Sequence, residues 1–189
     1  MAQFAYSDFF LFWFWKIKMA NENNVDGVHE NVEEPIPEKV INSMSEWNKL
    51  LKEPNRSHIS TLVLKEFGND TNKSLSFSGD DFTNLKSLIV SNTSCGGIRE
   101  ITITRLLKLE SVRIGDCCFN MLDKTSENAS FKVTGCSKLK TITVGEYSFL
   151  KCSSIKVFDN PRLETITLGK GSFKKCNNFS FSGTLAIFH

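Results

Sequence analysis

The side chains with the greatest potential for chemistry are three histidines and six cysteines, and neither set has the spacing of a reaction centre. The histidines lie far apart, at His29, His58 and His189, and no G-x-S-x-G, glycine-rich phosphate loop or H-E-x-x-H motif accompanies them. The cysteines contain no C-x-x-C pair, a spacing typical of zinc and redox sites. We therefore expect a protein without enzymatic activity, bound metal or cofactor.

Composition restricts the chain to a small folded protein. It has 189 residues, of which 40% are hydrophobic and 23% are charged, which fits one folded domain with a tail. Its longest aromatic run, residues 9–15, is far shorter than the roughly 20 apolar residues that a membrane-spanning helix needs. These properties exclude a large multidomain enzyme and disfavour a membrane protein.

The first part of the chain divides into three segments. Residues 1–18 are predicted as an apolar extension outside the folded part, with a weak interfacial membrane anchor as the alternative because two lysines follow the aromatic run. Residues 19–37 are rich in Asn, Asp and Glu, which predicts an acidic linker. Residues 38–54 carry apolar side chains at helical spacing and end at a proline, which predicts an amphipathic helix that caps the rest.

The remainder of the chain is an internal repeat. The pattern L-x-x-[IV]-x-[IVL]-G-x-x-[SC]-F begins at Leu109, Leu139 and Leu163, and its first half also fits the residues from Ile59 and Leu85. Successive leucines from Leu85 onward are 24, 30 and 24 residues apart, so one unit carries an insertion. A unit this short cannot bury its apolar side alone, whereas stacked units share a continuous core. Residues 55–189 are therefore predicted to form a solenoid of about five coils.

A second alternating apolar run follows in each unit, which predicts two strands per coil. These runs begin at Leu75, Ile101, Phe131, Ile155 and Phe179. The glycines that directly follow the first strand are expected to bend sharply or to need a positive φ. They are Gly115, Gly145 and Gly169. The phenylalanines that end the pattern are expected to stack inside the solenoid. They are Phe119, Phe149 and Phe173.

The L-x-x-I-x-[IVL] strand, the S-F-x-x-C segment and the 24-residue period resemble leucine-rich repeats, most closely the BspA-like type of microbial surface and intracellular proteins. The resemblance covers roughly residues 57–184. The chain departs from ordinary leucine-rich repeats because glycine follows the strand and the usual downstream Asn is missing. We therefore expect a mainly β repeat solenoid of leucine-rich-repeat-like type, with two parallel sheets and one N-terminal capping helix.

Stacking places equivalent residues about 4.8 Å apart in columns, so surface chemistry can be predicted from the repeat. One column alternates in charge and the next two are mainly Ser and Thr, which is suited to docking an extended peptide or a glycan. The interpretation favoured by strand propensity and by the behaviour of exposed charges is a solvated strand face with a ladder of weak ion pairs. The candidate partner-contact surface comprises Lys86, Glu110, Arg113, Lys140, Thr141, Thr143, Glu164, Thr165 and Thr167.

Two cysteines share one repeat position three residues after the phenylalanine, Cys152 and Cys176. Adjacent coils would place them within the Cα separation that a disulfide needs. Because the preceding unit has Leu122 at this position, we expect an apolar slot that holds structural thiols.

These observations predict a non-enzymatic protein-interaction module whose partner is another protein or peptide. Nucleic acid is not an expected partner, because the net charge of +6 in residues 40–189 comes from cations scattered among acids. One alternative is an extracellular adhesin or surface-coat protein with oxidised cysteines and glycans on its six N-x-[ST] sites. A weaker one is an architectural solenoid that associates end to end through an uncapped C-terminal coil at Ile187. We expect a location inside the cell, with the cell surface as the alternative.

Overall fold

The computed structural model describes residues 37–67, 73–120 and 129–182. The predictions for the apolar extension, nearly all of the acidic linker, Leu122 and the segment around Ile187 lie outside these residues. No helix within the described ranges is long and apolar enough to cross a membrane.

The described residues form two parallel sheets. From the second strand onward, successive strands of the chain belong to the two sheets in turn. The first sheet contains β1 (Glu38–Ile41), β2 (Thr61–Leu64), β4 (Ser87–Val90), β6 (Ser111–Ile114), β8 (Thr141–Val144) and β10 (Thr165–Leu168). The second contains β3 (Lys73–Ser78), β5 (Ile98–Thr104), β7 (Ala129–Thr134), β9 (Cys152–Phe158) and β11 (Asn178–Phe181). One helix, α1 (Met44–Leu51), lies between β1 and β2 in the chain. This confirms the predicted two-sheet parallel β-solenoid of about five coils with one helix.

Register is kept in both sheets across the longer unit. Val112 pairs with Ile142 at an offset of 30 residues, and Ile142 pairs with Ile166 at an offset of 24. The second sheet repeats these two offsets from Ile101 to Phe131 and on to Ile155. The extra residues therefore lie between β6 and β7. The inward-facing side chains of successive coils remain aligned with each other.

The helix is shorter than the predicted 38–54, and residues Glu38–Ile41 are a strand instead. The strand gains a parallel ladder with β2, which local helical spacing could not reveal. Ser43 then caps α1 by accepting a hydrogen bond from the Glu46 N–H at 3.1 Å. The helix buries Met44, Trp47 and Leu50 against the first coils, and the Trp47 ring lies 5.1 Å from that of Phe77 on β3.

Arg56 fixes the C-terminal end of α1, and the sequence pattern gave no sign of it. Its guanidinium donates hydrogen bonds to the carbonyl oxygens of Leu51 and Glu53, each at 2.8 Å, which satisfies groups that a helix end leaves unpaired. It also pairs with the Asp81 carboxylate and lies over the Phe82 ring. One side chain thus joins the helix to the second coil.

The predicted aromatic stack is confirmed. Phe149 lies between Phe119 and Phe173, with ring centroids 4.6 and 4.7 Å away and ring planes within about 11° of parallel. All three rings are buried, and Phe131 of the second sheet packs at a tilt against Phe149. Cys95 takes the equivalent position in the second coil, where its thiol is also fully buried.

The glycines after the first-sheet strands have a different role from the positive φ that we considered. Among the described glycines, only Gly135 and Gly171 have positive φ. A Cβ built on Gly145 would lie 2.5 Å from the carbonyl carbon of Gly115, and one on Gly169 would lie 2.6 Å from that of Gly145. These positions require glycine because adjacent coils touch through their backbones.

The small polar residue before each phenylalanine bonds to this glycine turn. Ser148 donates to the Gly115 carbonyl at 2.9 Å, and Ser172 donates to the Gly145 carbonyl at 2.7 Å. The Cys118 thiol makes the same contact with the Ser91 carbonyl at 3.1 Å. The [SC] position of the repeat is therefore a donor, buried at Cys118 and Ser148 and partly buried at Ser172, that ties each coil to the one before it.

Candidate functional site

The interior of the solenoid is filled, so chemistry is confined to its outer surfaces. Inward side chains of both sheets form one hydrophobic cluster, and the buried polar residues Ser94, Ser148 and Asn160 make hydrogen bonds within it. We call the solvent side of the first sheet the first-sheet face. All nine predicted contact residues lie on it or on the turn that leads into it.

The charged column on the turn edge takes part in none of the ion pairs formed within residues 37–67, 73–120 and 129–182. Lys86, Glu110, Lys140 and Glu164 are all exposed and occupy equivalent positions in successive coils. The predicted ladder of pairs is not formed, since the ion pairs of the described residues are Lys39–Glu53, Arg56–Asp81 and Arg105–Asp80. Exposed long side chains gain little from pairing because water screens them and pairing restricts their rotamers. The four charges remain available to a partner.

The second column is a row of hydroxyls. Thr61, Ser87, Ser111, Thr141 and Thr165 are adjacent in register across five strands. The Ser87 and Ser111 hydroxyls lie 3.2 Å apart and hydrogen-bond to each other. Thr141 is exposed, and the other four are partly exposed. The column offers small donors and acceptors on a flat strip.

The third column changes character along the solenoid. In register order it contains Val40, Val63, Ile89, Arg113, Thr143 and Thr167. Its last three residues were predicted as contacts from the repeat, and the two valines were not. Val40 was assigned to a helix, and Val63 lies in a coil that shows only half of the repeat pattern. The column is thus apolar at one end, cationic at Arg113 and hydroxylated at the other end.

Four of the cysteines are buried free thiols, namely Cys95, Cys118, Cys136 and, as predicted, Cys152. Burial raises the pKa of Cys118 and Cys136 to about 11 and that of Cys152 to about 12, and it also raises the pKa of Cys95. Thiols that stay protonated at neutral pH are poor nucleophiles. Cys176 is level with Cys152 and only partly buried.

Stability is therefore expected to fall as pH rises from about 9 to about 11, because the thiols ionise more readily in the unfolded chain than in the fold. The raised folded pKa values leave the thiol contribution intact below pH 9. Urea unfolding at pH 8 and pH 10 under reducing conditions measures this effect. Cys136→Ala should show a smaller loss between these pH values, and an equal loss in the variant and the parent would contradict the assignment.

Other features of the described residues offer no reaction centre. A shallow depression of about 310 Å³ is lined by Gly79, Asp80, Thr83, Arg105 and Leu107, and its two charged groups pair with each other at 2.6 Å. No group of three or more His, Cys, Asp and Glu within the described ranges could hold a metal ion. The first-sheet face presents exposed charges and hydroxyls that can engage a partner.

No family model, no curated protein and no solved structure matches the chain. The evidence for function is accordingly the geometry of the solenoid itself.

Proposed function

We propose that the chain is a non-enzymatic protein-interaction module of the leucine-rich-repeat type that binds another protein through its first-sheet face. The observation that carries this proposal is a row of charges outside the ion pairs of the described residues, beside a row of hydroxyls, on one face of six parallel strands. The side chains of this face contribute little to the core, so their chemistry is free to serve recognition. The inward side chains cannot contact a partner, because they are buried in the core.

Photo-crosslinking from two opposite faces tests this proposal. A benzophenone-bearing amino acid at Thr143, which is exposed on β8, samples the first-sheet face. The same amino acid at Lys156, which is exposed on β9 of the same coil, is the matched control. Both residues lie on paired β-strands of the solenoid, and neither side chain contributes to the core.

We expect irradiation of cells that express the chain to give discrete covalent adducts from Thr143 and few from Lys156. Mass spectrometry of the adducts identifies the captured protein. Adducts from neither position, or the same adducts from both, would contradict docking on the first-sheet face. An adduct of twice the chain mass would instead support the self-assembling solenoid.

A further inference from the structure

The third column of the first-sheet face divides into a short apolar strip and an adjacent cation. Val40, Val63 and Ile89 lie side by side on β1, β2 and β4, and Val40 is 39% exposed. Adjacent parallel strands are about 4.8 Å apart, so this strip extends about 10 Å along the solenoid. Arg113 follows on the next strand, directly beside Ile89.

Arg113 is exposed near the middle of the sheet, on the fourth of its six strands. It takes part in none of the ion pairs found among the described residues. Its register neighbours are Ile89 and Thr143, which carry no charge to neutralise it. A guanidinium presents paired N–H donors that match a carboxylate, and the Ser111 hydroxyl two residues away on the same face offers another donor.

The spacing of these groups matches an extended segment that crosses the strands. Residues two apart in an extended chain point to the same side and are about 6.7 Å apart. The midpoint between Val63 and Ile89 lies about one and a half strand spacings, or about 7 Å, from the line of Arg113. An apolar side chain over the two aliphatic residues would therefore place the side chain two residues further on at the guanidinium.

We propose that the partner presents an extended segment of the form apolar-x-acid, with its apolar side chain on Val63 and Ile89 and its carboxylate on Arg113. This inference rests on the proposed function and adds the chemistry of the partner. Arg113 is the specificity-determining residue in this arrangement. The charge complementarity selects a carboxylate at one position, and the apolar strip fixes the direction of the segment.

Synthetic octapeptides that differ at one position test the proposal by fluorescence anisotropy. The reference peptide contains Val-Thr-Asp between Ser and Thr residues, and its relatives replace the Asp by Asn or Lys, or the Val by Ser. We expect the reference peptide to bind the full chain. Replacing the Asp should weaken binding about ten-fold or more, as loss of a charge-assisted hydrogen bond predicts, and replacing the Val by Ser should weaken it about ten-fold because apolar burial is lost. Equal affinity of the chain for the reference peptide and for its variants would overturn the proposal.

Charge reversal supplies the decisive comparison. Arg113→Glu should bind the Lys peptide more tightly than the Asp peptide, because the attraction changes sign. Lys156→Glu makes an equal change of charge on the second sheet and should keep the preference of the parent chain. An unchanged preference in Arg113→Glu, or no binding of any peptide at millimolar concentration, would refute the apolar-x-acid assignment. Crosslinking from Thr143 would still report separately on the proposed docking face.

Discussion

Replacing Phe149 with alanine is expected to lower the free energy of unfolding by about 4 kcal/mol, the usual cost of emptying a buried aromatic site. Phe149 is 4% exposed and stacks between two rings at 4.6 and 4.7 Å, so no neighbour can collapse into the space without breaking the column. For a domain of this size the change corresponds to a fall in Tm of roughly 8–16 °C. Thermal and urea unfolding measure it.

Phe179→Ala is the matched control for this experiment. Phe179 lies on β11 and is 50% exposed, so its removal should cost less than about 1 kcal/mol. Phe149→Leu, which refills part of the site, should fall between the two. Equal losses for the two alanine variants would show that the stack does not form the core of the solenoid.

Replacing Gly145 with alanine is expected to cost about 3 kcal/mol, because the added methyl group meets backbone that cannot rotate away. Its Cβ would lie 2.5 Å from the Gly115 carbonyl carbon and 2.6 Å from the Asp116 nitrogen. Relief requires the two coils to separate, which weakens the ladder between β6 and β8. A fall in Tm of roughly 6–12 °C should accompany the change.

Gly135→Ala is the control that distinguishes a steric clash between adjacent coils from the cost of a positive φ. Gly135 has a φ of +71°, but a Cβ there would meet its nearest atom at 3.5 Å, which is ordinary contact. Its replacement should therefore cost only the strain of a left-handed residue, about 1 kcal/mol. If Gly135→Ala proves as damaging as Gly145→Ala, the coil spacing is not what requires glycine at 145.

The repeat made the architecture predictable because its physical cause is periodic. A column such as Phe119, Phe149 and Phe173 occupies the same position in each repeat, so stacking could be inferred without knowing any distance. The role of the glycines could not be inferred in this way. Whether Gly145 bends the chain or admits the neighbouring coil depends on a separation between backbones that the local pattern does not contain.

The elements that sequence analysis missed depend on partners distant in the chain. The strand Glu38–Ile41 is stabilised by its pairing with β2, and its own residues fit a helical pattern equally well. Arg56 contacts the C-terminal end of α1 while binding Asp81, which lies 25 residues further on.

The apolar end of the candidate site was not predicted because β1 was not predicted. Val40 belongs to the third column only when residues 38–41 form a strand. The candidate residues of the regular coils lie on or beside the first sheet, whereas the ion pairs predicted among them are not formed between described residues.

The unit that is six residues longer than its neighbours bears on how the number of coils can change in evolution. Its strands keep the register of the 24-residue units on both sides, so length and alignment are independent in this solenoid. Gain or loss of one whole coil would leave every inward column continuous and would alter only the number of positions on the first-sheet face. The first-sheet face can therefore grow in steps of about 4.8 Å while the side chains of the core stay the same type at each position.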